Sequence, residues 1–257
     1  MRSKVPIVLL IPALLGLGLL VLPLVGLLVR APWATLGPRL AEPTVLAALR
    51  LSLVTASIAT VVSLLLGVPL AWLLARVEFP GRRLVRALVT LPLVLPPVVG
   101  GVALLLVFGR NGLLGGALES VGITLPFSTA GVVLAETFVA MPFLVIAVEG
   151  ALRGADRRYE DAAATLGASR FTTFRRVTLP MIGPGIAAGA VLCWARALGE
   201  FGATITFAGN FPGRTQTMPL AVYLALETDP AAAITLSLLL LAVSVVLLAL
   251  LRERWVS

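Results

Sequence analysis

Three ionisable residues fall inside stretches that are otherwise apolar: Glu136, Arg196 and Glu200. A charge at the centre of a membrane-spanning helix costs roughly 3 kcal/mol on insertion scales, so it calls for a function or a partner. Arg196 and Glu200 stand four residues apart, a separation that places two side chains on one helix face and lets them pair. Counted at about 1.5 Å per residue, Glu136 and Arg196 both lie on the order of 15 Å from the outer surface. The three are expected to form a buried cluster, and Thr204 is placed with them on a translocation pathway. Two readings stay open: charges that neutralise one another between helices, or a gate that contacts an anion in transit. Glu136 and Glu200 could also form an acid–base pair, but no nucleophile or metal set accompanies them. Histidine is absent and Cys193 is the single cysteine. That composition excludes a disulfide within the chain, a His–Cys zinc site and His-centred hydrolytic triads. Cys193 lies on an apolar stretch and reads as a small packing residue. The sequence lacks G-x-x-x-x-G-K-S/T, so it does not bind and split ATP through a P-loop of its own.

The elements that carry these residues are membrane spans. Of 257 residues, 59% are hydrophobic and 12% charged, against about 25% charged in a soluble domain. A bilayer core takes roughly 20 apolar residues as a helix. Charge-free stretches run from Val5 to Val29, Leu51 to Ala75, Ala87 to Gly109 and Ala231 to Leu251. Two more, Ser120 to Val148 and Val177 to Gly213, carry the ionisable residues above. The expectation is an all-α integral membrane protein with about six transmembrane helices, forming one domain over residues 1–257. The first stretch begins Met1-Arg2-Ser3-Lys4 like a signal peptide, yet its apolar run is too long and no A-x-A site follows, so it is read as an uncleaved span.

The formal net charge of +8 could suggest nucleic acid, but its distribution speaks for topology. With the N-terminus inside, fourteen basic residues fall on inner segments: Arg2 and Lys4, four from Arg76 to Arg86, six from Arg153 to Arg176, then Arg252 and Arg254. Five fall outside: Arg30, Arg39, Arg50, Arg110 and Arg214. Excess positive charge marks the cytoplasmic side, so both termini are expected there. The third stretch contains Pro92, Pro96 and Pro97 followed by Gly100-Gly101. Proline removes a backbone donor and clashes with the preceding turn, so this span should be kinked or broken. The fifth opens with Pro180, Gly183, Pro184 and Gly185. Such residues either line a pathway or serve ordinary packing. No internal repeat is visible, which weakens the case for an inverted-repeat secondary transporter.

The longest inner connection, at about residues 150–180, holds the most specific pattern. Tyr159, Ala163, Leu166 and Arg170 are spaced for one helix face. Glu160 and Asp161 stand near its start, where negative charge suits the helix dipole. Gly167 is expected to stop this helix, Ser169 to cap a second and Pro180 to end it. Two short amphipathic helices held under the membrane could bind anionic lipid through their arginines. Interleaved acids and small residues instead shape a surface for a protein groove. Asp161-Ala162-Ala163, Gly167, Val177 and Leu179-Pro180 match the spacing E-A-A-x3-G-x9-I-x-L-P, with Asp for Glu and Val for Ile. The chain thus resembles the type I ABC-importer permeases along essentially its whole length.

That resemblance implies a coupling helix, including Tyr159 to Ala163, Leu166, Gly167, Arg170 and Phe174, that docks on a cytoplasmic ATPase. It also implies a homodimer of this chain, two ATPase copies and an external binding protein. No cofactor is expected on this chain; ATP and Mg would belong to the ATPase. Arg196 to Asn210, with the outer Gly213-Arg214-Thr215-Gln216-Thr217, closely resembles the molybdate permeases. Sulfate and thiosulfate permeases share a looser version. The implied substrate is a tetrahedral dianion: molybdate, with tungstate beside it, or sulfate in the alternative. Arg214, Thr215, Gln216 and Thr217 could take an oxyanion or a docking protein, or form a polar turn. Rival classes are an ATPase-independent secondary transporter, an intramembrane enzyme and a membrane scaffold. None of them accounts for the loop pattern.

Overall fold

The computed structural model describes the backbone of residues 7–255, and its helices are α1 (Ile7–Val29), α2 (Leu36–Leu40), α3 (Pro43–Arg76), α4 (Arg82–Val94), α5 (Pro97–Phe108), α6 (Gly115–Ser120), α7 (Thr129–Gly154), α8 (Arg158–Thr165), α9 (Arg170–Thr173), α10 (Leu179–Leu198), α11 (Gly202–Ala208), α12 (Met218–Thr228) and α13 (Pro230–Trp255). Arg2 and Lys4, counted above among the inner charges, lie outside the described residues, as do the side chains of Arg252 and Arg254. Among the described residues five helices are long and apolar enough to cross a membrane, or six if α4 and α5 count as one span.

The chain divides into two compact units. One comprises the residues up to Leu46 and those from Ala221 onward; the other runs from Ala47 to Leu220. In the first, Arg39 Nη1 pairs with Asp229 Oδ2 at 2.7 Å. Asp229 Oδ1 accepts from the backbone N–H groups of Ala231 and Ala232, capping α13. The Arg39 guanidinium holds the Asp229 carboxyl below its ordinary pKa, helped by the Ala232 N–H.

The second unit holds the ionisable cluster and the inner loop. The helix α7 is its central element, packing against α10, α11, α4 and α5. Ser128 opens α7 with its Oγ accepting from Gly131 N at 3.1 Å. The helix therefore begins nine residues later than the apolar stretch from Ser120, and the separate α6 precedes it. Leu104, Ala135, Val139, Ala203 and Phe207 form a buried core between α5, α7 and α11.

Two spans are broken. Proline forces the residue before it into extended backbone, and Leu95 and Pro96, each preceding a proline, take ψ of 134° and 132°. Pro97 then starts α5 at a position where no donor is needed, and the axes of α4 and α5 differ by 119°. The apolar stretch from Val177 to Gly213 is also not one helix. It ends at Leu198, and α11 starts afresh at Gly202. The two restarted helices meet closely. A Cβ on Gly202 would stand 2.8 Å from Pro97 Cβ, and one on Gly101 would stand 2.6 Å from Thr206 Cβ.

Candidate functional site

The break between α10 and α11 positions the charged cluster. Arg196 lies in the last turn of α10, whereas Glu200 lies beyond the helix end, so they do not share a helix face as the spacing suggested. They still pair, with Arg196 Nη2 and Glu200 Oε2 2.5 Å apart. The other oxygen, Oε1, accepts from Ala203 N at 2.9 Å. One buried carboxylate therefore ties the end of one helix to the first turn of the next. Glu200 is 1% exposed, which makes both contacts valuable, since an unpaired charge in such a place is strongly disfavoured.

Glu136, also 1% exposed, lies about 10 Å along α7 from its start, counting about 1.5 Å per residue. Its Oε1 accepts from Thr55 Oγ1 at 2.9 Å. Among the described residues, its Oε2 and the buried Oγ1 of Thr204 have no hydrogen-bond partner. Ala135 and Val139, beside Glu136 on α7, pack in one buried cluster with Ala203 of α11. The structure thus brings Glu136, Arg196, Glu200 and the start of α11 into one neighbourhood. Thr55 was not singled out from the sequence, although a signal exists. Ser52, Thr55, Ala56, Ala59, Thr60 and Ser63 repeat at intervals of one helical turn and are all buried.

The inner loop is built as two helices about a glycine. The helix α8 ends at Thr165, and Gly167 takes φ +82°, a conformation that favours glycine. Ser169 caps α9 with Oγ accepting from Thr172 N. The expected stop at Pro180 is not found: a π-helical turn over Phe174–Thr178 carries α9 into α10, with Pro180 inside its first turn. The wider turn gives the proline ring room within this continuous helix. Arg170 therefore begins the second helix instead of continuing the face of Tyr159, Ala163 and Leu166.

Glu160 faces inward. Its Oε1 accepts from Arg76 Nη2 at 2.9 Å and from Thr178 Oγ1 at 3.0 Å, joining α8 to the end of α3 and to the π turn. Trp72 meets Phe174 edge to face, with ring centroids 6.3 Å apart. With that side anchored, Tyr159, Asp161, Leu166 and Phe171 are left exposed, Leu166 at 88%. Apolar side chains this exposed next to charges suit a partner groove. Nearby, Glu149 bridges Arg86 and Arg153, each at 2.7 Å. Arg82 and Arg86 donate to the carbonyl of Leu74 near the end of α3. Three arginines, Arg76, Arg82 and Arg86, thus brace the region around this loop.

The other end of α7, about 39 Å away at about 1.5 Å per residue, carries the 211–217 segment. Arg214 is exposed, but Thr215, Gln216 and Thr217 are buried, so these three do not line an outer binding surface. Thr215 Oγ1 accepts from Phe211 N, and the Phe211 carbonyl accepts from the N–H groups of Arg214, Thr215 and Gln216. The Thr215 hydroxyl and these backbone N–H groups hold a tight turn.

Residues 64–257 match the family described as binding-protein-dependent transport system inner membrane component. The Mycobacterium tuberculosis molybdenum transport system permease protein ModB is 53% identical over 91% of this chain and 89% of its own. ModB of Escherichia coli K12 is 44% identical over 82% and 92%. The sulfate transport system permease protein CysT of E. coli K12 is 38% identical over 90% and 84%. The fold matches a crystal structure of a bacterial ABC transporter involved in import of the polysaccharide alginate, at TM-score 0.78 and 18% identity, over 96% of this chain and 93% of that one. This chain belongs to the family of inner membrane components of binding-protein-dependent transport systems.

Proposed function

We propose that this chain is the membrane permease of an ATP-driven molybdate importer, with tungstate as a second substrate. The observation that carries the substrate is identity: 53% to a molybdenum permease against 38% to a sulfate permease, each over about nine-tenths of the chain. Two copies of the chain form the pathway. The α8–α9 loop docks on two cytoplasmic ATPase subunits that bring ATP and Mg, and an external binding protein delivers the anion. Both termini are cytoplasmic and the Arg214 end of α7 is external.

The coupling reading rests on the division of labour at the loop. Glu160 is engaged by Arg76 and Thr178, while Tyr159, Asp161 and Leu166 face outward. A partner that pulls on this exposed face moves α3 and α10 with it, because Glu160 fastens the loop to both. Glu136, Arg196, Glu200 and Thr204 stand where two broken helices meet. We assign them to the gate, with the Arg196–Glu200 pair holding the start of α11 in place.

Labelled molybdate uptake by cells lacking this gene tests the substrate. Loss of high-affinity uptake on deletion is expected, with wild-type uptake competed by tungstate and resistant to sulfate. Persistence of molybdate uptake with loss of sulfate uptake would transfer the chain to the sulfate alternative.

A further inference from the structure

Where α5 ends and α7 begins, an open cavity of about 470 Å³ is lined by Arg110, Asn111, Thr124, Phe127 and Arg214, among others. Among the described residues the lining offers two guanidinium groups, one amide and one hydroxyl, and no carboxylate. Among the described residues, neither arginine takes part in an ion pair. Two unpaired guanidinium groups facing one space repel each other and attract an anion; each presents a planar fork of donors suited to oxygen acceptors.

The backbones that carry the two arginines are pinned. Past α5 the chain folds back on it, with Leu113 N donating to Leu106 O at 3.0 Å and Leu114 N to Val107 O at 2.8 Å. Thr129 Oγ1 donates to Arg214 O at 2.8 Å, and the turn on the Phe211 carbonyl fixes the rest. Phe127, on the cavity wall, has φ +56°, a left-handed conformation uncommon for a bulky residue. Its ring packs edge to face on Phe211, centroids 6.2 Å apart. Backbone held in a sparsely populated region concentrates at ligand sites, where the surroundings over-determine it.

We infer that this cavity is a receiving site for the free oxyanion, held between Arg110 and Arg214 after release from the external binding protein and before the gate. The inference rests on the importer reading above and on its placement of this end outside. At about 30 Å³ per water, the volume admits a hydrated tetrahedral dianion. Such an ion is bound loosely, as a transit site requires: strong enough to fill, weak enough to empty. Asn111 and Thr124 would donate to oxygens that the guanidinium groups leave free.

The test uses the full complex with its ATPase and binding protein in proteoliposomes. First, wild-type accumulation of labelled molybdate is measured; its absence sinks the importer reading and is scored separately. Crystals of the permease–ATPase complex grown without binding protein are then soaked in millimolar tungstate and examined at the tungsten edge. We expect an anomalous peak between the two guanidinium groups, lost in R110Q/R214Q. We also expect uptake by that variant to fall about tenfold, with the deficit unchanged by excess binding protein. No peak in the wild type overturns the inference, as does normal uptake by the variant. A deficit cured by excess binding protein also overturns it, because the arginines would then be docking contacts. Should the double variant fail to assemble, the wild-type peak, together with uptake by R110Q and R214Q singly, decides.

Discussion

Removing the Arg196 guanidinium leaves the Glu200 carboxylate buried with one oxygen unpaired. Breaking a buried pair from one side typically costs about 3–5 kcal/mol, whereas replacing both members is far milder. R196Q is therefore expected to lower the thermal stability of the purified complex by an amount in this range, and R196Q/E200Q to recover part of it. Uptake separates the two roles left open by the sequence. If the double variant assembles and stays stable but does not transport, the pair serves the gate; unchanged transport would leave it a structural clamp. The existence of the pair was legible from the four-residue spacing. The helix break between its members was not, because Gly199 and Gly202 read equally well as small packing residues inside a continuous span.

The close approach of α5 and α11 depends on Gly101 and Gly202. A methyl group at Gly202 would press on Pro97 at 2.8 Å, and overpacking of this kind costs about 1–3 kcal/mol. G202A is expected to reduce melting temperature and to slow uptake more than it slows assembly, both measurable on the same preparation. A second device lies at the inner loop. E160Q weakens the acceptor for Arg76 and Thr178 without changing the exposed face. It is expected to leave the ATPase bound in pull-down while uptake falls about tenfold; undiminished uptake would show that the anchor transmits nothing. In the sequence, Gly167 and Ser169 disclosed the two-helix loop, since a left-handed stop and a side-chain cap are local. Pro180 misled: its effect depends on whether a wider turn precedes it, which is a property of the packed chain. The arginines at 76, 82 and 86 were legible as charge but not as braces, because their partners lie on other elements.

Taken whole, the second unit separates its tasks along α7. The charged cavity lies at one end, the buried carboxylates part-way along, and the anchored loop at the far end. The spans and the two-helix loop were readable because membrane crossing is written in apolar runs and a helix stop or cap in local residue types. The broken third span was foreseen from its prolines. The inward turn of Thr215, Gln216 and Thr217 was not, since polar residues in a connecting segment read equally well as exposed. The activity proposed for this chain is an energised molybdate import that needs a separate ATPase. It is tested most directly in proteoliposomes holding this permease, with binding protein outside, ATP and Mg inside, and the ATPase included or omitted. Accumulation of labelled molybdate only when ATPase, ATP and binding protein are all present is the result expected. Accumulation without the ATPase, driven by an ion gradient, would contradict it.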